Sequence, residues 1–208
     1  MTAQVAFRQT HEELYGTRRS PEIVEVPPAT FLMANGQGEP ETSAAFAQGI
    51  QALYSVVYPL TFTLKKAGAT NLHVPPLEGL WDAGSQQLLE VPKDEWNWTL
   101  MLRLPEMATV ALVQESIAAA ARKKPELPVR ELRAMELVEG TAAQVLHVGP
   151  YDAEGPTIER LHAFIADEGY RPHGRHHEIY LGDPRRAAPA KLRTLLRQPV
   201  IGADASGG

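Results

Sequence analysis

The chain has 208 residues, 44% of them apolar and 22% charged, with a net charge of −5 and no cysteine. That is enough for one large domain or two small fused ones with a sizeable core. The lack of cysteine excludes disulfides, thiolate metal sites and cysteine nucleophiles, and the acidic balance argues against a nucleic-acid partner, whose binding surfaces are strongly basic on one face.

The first residues, MTAQVAFRQTHEELYG, lack the basic start and apolar core of a secretory leader. No apolar run reaches the length of a membrane span. A cytoplasmic protein without a membrane partner is therefore expected. Residues 1–20 read as an N-terminal arm, in which HEELY is too short a pattern to assign.

Ile23 to Val26 is a short apolar run ended by Pro27-Pro28, and ATFLMANGQGEP reads as a strand entering a glycine-rich turn. Phe46, Ile50, Leu53 and Val57 then recur at helical spacing, with Thr42 or Ser43 as the N-cap. Pro59 should kink or end that helix, because it lacks an N–H and crowds the preceding turn. The alternation Leu60, Phe62, Leu64 leaves the next residues ambiguous. PLEGLWDA and WNWTLMLRLP are strand-like, the second with Trp96, Trp98, Leu100, Leu102 and Leu104 at period two. A second helix follows, with Val110, Val113, Ile117 and Ala121 on one face. Its end carries Arg122-Lys123-Lys124, which the helix dipole favours.

KKPELP is the best linker, dividing the chain into halves of about 21–124 and 128–200. In the second half, ELRAMELVEGTAAQVLHVGPY reads as a hairpin turning at Glu139-Gly140. A helix starts near Pro156, with Ile158, Leu161 and Ile165 inward and Gly169 just past its end. HHEIYLG is a strand, and Leu192, Leu195 and Leu196 suggest a short last helix. Residues 201–208 are expected to be disordered.

The halves share a plan of strand, glycine turn, helix and then a strand with an embedded acid: Glu78 in LEGLW and Glu178 in HEIYL. The repeat rests on pattern more than on letters. It predicts an α+β fold, a duplicated pseudo-two-fold βαββ-type domain. Its antiparallel sheet would be covered by helices on one face, with a ligand cleft between the halves.

Strand alternation puts His176, Glu178 and Tyr180 on one face and His177, Ile179 and Leu181 on the other. The second, more apolar trio suits the helix-packed core; the first would face a cleft or solvent. A lone glutamate is usually solvated, yet Tyr180 and His176 can both hydrogen-bond beside this one. Trp96 and Trp98 share a face, and Trp81 ends the strand that carries Glu78. Core packing explains any one tryptophan; several together can build an aromatic wall suited to flat or cationic ligands.

Other motifs are weaker. HGRHHE has no metalloprotease spacing, and neighbouring His176 and His177 point to opposite faces, so no metal is expected. NGQGEP lacks the third glycine and the lysine of a phosphate loop and reads as a turn. No nucleophile elbow is present. In DPRR, Asp183 reads as the start of a solvated turn.

Together, VPPATFLMANGQGEP, ALYSVVYPLTFTLKKAG, PLEGLW, WNWTLMLRLPE, VGPYDAEGPTIERLHAFI and HHEIYLGDPRR…KLRTLLRQPV resemble the stand-alone GyrI-like small-molecule-binding proteins, over about residues 21–200. The resemblance implies a GyrI-like (SOUL/GyrI-like, effector-binding) domain without a cofactor, with Glu178 in the pocket and Trp96 and Trp98 lining it. Some stand-alone members hydrolyse cyclopropanoid DNA-alkylating compounds. On that reading Glu178 is a general base with Tyr180 orienting the water or donating a proton, and Trp81, Glu78 and His176 join the two tryptophans in holding a small-molecule ligand. The alternatives are a sequestering drug-binding protein and, third, a protein-interaction module acting on a topoisomerase. A homodimer is left open. Thr61 and Asp82 replace a lysine and a tryptophan common in such proteins, which bears on the pocket entrance.

Overall fold

The computed structural model describes residues 14–40, 42–82, 92–183 and 186–204. Contacts divide the chain into two compact units. The first spans Ala29–Leu137; the second takes residues 14–28 and 138–204 of those described. The units meet in the chain after Leu137, and the first strand of the chain belongs to the second unit.

In the first unit, β2 (Ala29–Gln37), β3 (Leu77–Asp82), β4 (Asn97–Arg103) and β5 (Arg133–Leu137) form an antiparallel sheet in the order β3-β4-β2-β5. Helix α1 (Ala44–Lys66) is capped by Ser43, whose hydroxyl accepts the Phe46 N–H. Pro59 does not end it: the helix continues to Lys66, and Leu60, Thr61 and Leu64 extend the face already buried through Leu53, Val56 and Val57. Burial of that face outweighs the hydrogen bond that proline removes. Thr61 is therefore part of the packed helix face. Helix α2 (Val110–Lys123) is capped by Thr109, packs against α1, and buries Val113, Ile117 and Ala121. Val110, at its first turn, is exposed.

Cross-strand pairs share a face of a sheet. Trp81 pairs Trp98, Gly79 pairs Leu100, and on the other side of β4 these meet Gly36 and Ala34. A Cβ on Gly49 of α1 would touch Leu100, Ala34 and Trp98, so this is the face the helix covers. The opposite face holds Phe31, Met33, Leu80 and Met101, and with them Glu78, which pairs Met101.

In the second unit, β1 (Glu22–Val26), β6 (Gly140–Val148), β8 (His176–Tyr180) and β9 (Arg193–Gly202) run antiparallel in the order β1-β6-β9-β8, with β7 (Tyr170–Pro172) on the far end of β9. Helix α3 (Gly155–Asp167) opens with Pro156 in its first turn and stops at Gly169, whose φ is +77°. Two expectations fail here. Leu195 and Leu196 lie in β9, not in a helix: each strand face is buried, so both neighbours are apolar and alternation disappears. The segment through Glu139-Gly140 is no hairpin either. β5 pairs β2, whereas β6 pairs β1 and β9.

The faces of the second sheet also invert the expectation. Glu178 pairs Leu196, which pairs Val145, and both apolar residues pack with Ile158, Leu161 and Ile165 of α3. His176, Glu178 and Tyr180 therefore share the face that the helix covers. The other face carries a buried ionic network. Glu139 accepts from His177 Nδ1 at 2.9 Å and from Arg197 at 3.2 Å; Arg197 also donates to Gln144 and to the Leu14 carbonyl, and Gln144 donates to Glu22. His177 looked compatible with a core trio because its charge partner, Glu139, lies far away in sequence. The same network ties the end of the N-terminal arm to the sheet, and Tyr15 is buried beside it in the chain.

Candidate functional site

The second unit concentrates titratable groups where β8 meets the start of α3. Glu178 is buried; Tyr180, two residues on and on the same face, donates its hydroxyl to Glu178 Oε2 at 2.8 Å. His176, two residues back, holds Nε2 3.6 Å from the other oxygen, Oε1. That separation is within electrostatic range but too long for a hydrogen bond, and among the described residues Nε2 has no hydrogen-bond partner. One carboxylate oxygen is thus fixed by a phenol, and the other faces an imidazole across a gap.

Two further residues complete the cluster and were not singled out from the sequence. Tyr151, in a short 3-10 turn (Tyr151–Ala153), meets the Tyr180 ring edge-on with centroids 5.7 Å apart. Glu154 is buried at the first residue before α3. Burial, helped by Glu154, Glu178 and Asp183, pushes the Tyr151 phenol up to about 12. Burial and then the Glu178 carboxylate push Tyr180 well above the usual phenol range. Both phenols are therefore neutral donors at ordinary pH, not phenolates. The available signal was Y-x-x-E directly before a helix start, three residues apart and so able to turn to one side.

The turn carrying this pair is clamped by His147. Its Nε2 donates to the Pro150 carbonyl at 3.2 Å, which leaves Nδ1 to accept from the Thr157 hydroxyl at 3.0 Å. Gly149 makes the approach feasible: its φ is +149°, and a Cβ there would meet His147 Nε2 at 3.1 Å. In the sheet, Thr194 pairs both His147 and Tyr180, so the clamp and the phenol share one row.

The first unit offers an aromatic cluster instead. Trp81 and Trp98 are both 3% exposed. Phe46 stacks on Trp81 with centroids 6.0 Å apart and meets Trp98 edge-on at 5.2 Å; Trp96 meets Trp81 at 5.6 Å. The three expected tryptophans thus come together, two buried and Trp96 half-buried. Glu78 lies apart from them, fully buried on the other face of the same strand.

The acids do not correspond between the units. In each, a left-handed glycine lies five residues before the helix-capping residue: Gly38 before Ser43, Gly149 before Glu154. Aligned on these, Ala34 matches Val145, Leu100 matches Leu196, and the partner of Leu100 is Gly79 where the partner of Leu196 is Glu178. Glu78 matches His177, and Trp81 matches Tyr180. The sequence alignment of acid on acid is one residue out of register. Matched positions carry Gly79 and Trp81 in the first unit and Glu178 and Tyr180 in the second.

Among the described residues no three metal-binding side chains cluster, and no helix is long and apolar enough to cross a membrane. Each unit sets antiparallel strands under a helix, and the second buries an acid, a phenol and an imidazole together, an α+β arrangement. A family model for the GyrI-like small molecule binding domain matches residues 19–201, and the chain belongs to that family. Among solved structures, it is similar to an uncharacterized conserved protein from Listeria innocua, at 35% identity over 94% of this chain and 98% of that one, with a TM-score of 0.85. It is also similar to a hydrolase from Listeria innocua, at 33% identity over the same shares, with a TM-score of 0.83. The C-terminal domain of EcmrR shares the fold, with a TM-score of 0.52 at 15% identity. A comparison with curated proteins finds no match.

Proposed function

We propose that this protein binds aromatic or lipophilic small molecules, cationic ones included, and hydrolyses them with Glu178 as general base. The observation that carries the reading is the division of labour at Glu178: Tyr180 donates to Oε2, and Oε1 faces His176 Nε2 at 3.6 Å. A water seated to one side of this pair, within hydrogen-bond reach of both Oε1 and Nε2, would have two polar partners, one of them a base able to take its proton. Tyr180 keeps the carboxylate from rotating. The similarity to a Listeria hydrolase supports chemistry over binding alone, and the tryptophan cluster of the first unit suits flat ligands.

Cyclopropanoid genotoxins are the proposed substrates. Glu178 takes a proton from water, the water oxygen bonds to the strained ring carbon, and the ring C–C bond breaks. Its electron pair passes into the conjugated acceptor, which is then protonated, so the product is the substrate plus one water.

The test is mass spectrometry of a duocarmycin-type cyclopropanoid incubated with wild type and with Glu178→Gln. Wild type is expected to add one water, and the variant to lose roughly 100-fold or more of that rate. Equal turnover by the variant would remove the base role. Unchanged compound with quenched tryptophan emission would instead support a sequestering protein.

A further inference from the structure

The aromatic cluster of the first unit hides a polar feature. Trp81 and Trp98 occupy directly paired positions on β3 and β4, and each is 3% exposed. Among the described residues neither indole Nε1–H has a hydrogen-bond acceptor. Buried donors are almost always satisfied, and an unmet one is costly. Here the two residues that carry such donors sit at paired strand positions and both meet Phe46, in a cluster that reaches the surface at half-buried Phe46 and Trp96.

The orientation is built in rather than incidental. The benzo edge of Trp98 lies over Gly36, where a Cβ would come within 2.1 Å of Cη2 and 2.2 Å of Cζ2. Gly49 of α1 leaves room on the helix side, its would-be Cβ being 3.8 Å from the same Cη2. Ordinary core packing would call for phenylalanine or leucine at these positions, which fill the volume without a donor. Indole adds an N–H that no described residue satisfies.

We infer that the paired indole N–H groups of Trp81 and Trp98 form an acceptor-binding subsite, selecting neutral planar aromatic ligands that carry a carbonyl oxygen over equally flat hydrocarbons. The ligand oxygen supplies the missing acceptor while its rings pack on Phe46 and Trp96. This preference does not depend on catalysis at Glu178: Glu178→Gln keeps it, and loss of it leaves the hydrolase reading standing.

The probes are 9-fluorenone and fluorene, which share a flat three-ring frame and differ by C=O against CH2. Equilibrium dialysis with the full chain is expected to show fluorenone binding roughly tenfold more tightly, the factor expected of about one neutral hydrogen bond. Replacing all three tryptophans with β-(3-benzothienyl)alanine keeps ring size and removes each N–H. That protein should bind both probes alike, at the affinity wild type has for fluorene. Should it fail to fold, Raman spectra of wild type decide: the indole band sensitive to N–H hydrogen bonding should shift with fluorenone and stay put with fluorene. Equal binding of the probes by wild type, as when buried water alone meets the donors, overturns the inference. So does binding of neither, a preference that survives the replacement, or an unmoved Raman band.

Discussion

Replacing Glu139 with glutamine tests the buried ionic network directly. Burial alone would push this carboxyl up, but His177 and Arg197 outweigh it and hold the group down at about 2, against an ordinary 4.5. Its side chain and that of Arg197 are 4% and 3% exposed, so solvent screens the pair little. At about 1.4 kcal/mol per pKa unit, this difference corresponds to about 3 kcal/mol of folding stability. That agrees with the roughly 3–5 kcal/mol lost when one partner of a buried pair is removed. Because the folded-state pKa is depressed, the contribution is complete above about pH 4.5 and disappears as pH falls toward about 2. Glutamine preserves shape and one hydrogen bond but not the charge. Urea unfolding followed by far-ultraviolet circular dichroism at neutral pH should therefore place Glu139→Gln about 3 kcal/mol below wild type. The gap should close on acidification through that window. A variant within about 1 kcal/mol of wild type at neutral pH, or a gap unchanged down to about pH 2.5, would refute the reasoning. Tryptophan emission is the wrong probe, since Trp81, Trp96 and Trp98 are the only tryptophans and all lie in the first unit.

Gly36→Ala should cost about 1–3 kcal/mol, the range for overpacking, since the new methyl meets the Trp98 ring at 2.1 Å; a shifted tryptophan emission should accompany it, and unaltered stability and spectrum would count against the seating described. Tyr151 should stay protonated until about pH 12, so phenolate absorbance of wild type and Tyr151→Phe should coincide up to about pH 11 and diverge above it. With its pKa raised over the unfolded value near 10, Tyr151 contributes stability in full below about pH 10 that is lost as pH climbs through 12. Divergence of the two absorbance curves near pH 10 would show that the phenol is not held as described.

The two units show how one backbone plan serves two chemistries. At matched positions, Gly79 and Trp81 in β3 stand where Glu178 and Tyr180 stand in β8, and Trp98 stands where Thr194 stands. The first unit thereby gains a buried aromatic cluster whose Trp81 and Trp98 N–H groups meet no acceptor among the described residues, the second a carboxylate held by a phenol. An acid in each strand suggested symmetric sites; the register separates them onto different faces. Glu78 belongs to the face with Met101, and only Glu178 stands beside the helix start that brings Tyr151 and Glu154.

Local patterns were sufficient wherever a segment exposes one face. Helical spacing located α1 and α2, with Thr42 or Ser43 expected to cap the first, and proline and glycine bracketed α3, because capping and burial act within a few residues of each other. Alternation put Glu178 and Tyr180 on one side of β8, and that pairing survives as the 2.8 Å hydrogen bond. Pairing and face are decided over long distances. β9 is buried on both faces, so its leucines carry no period, and β5 and β6 part company because each finds a better neighbour elsewhere. The covered face of β8 depends on where Leu196 and Val145 sit. The partner of His177 lies 38 residues away, and that of Glu139 on β9 lies 58 residues away. Those distances separate what a residue can do, which its own sequence states, from what it meets, which only the packed sheets decide.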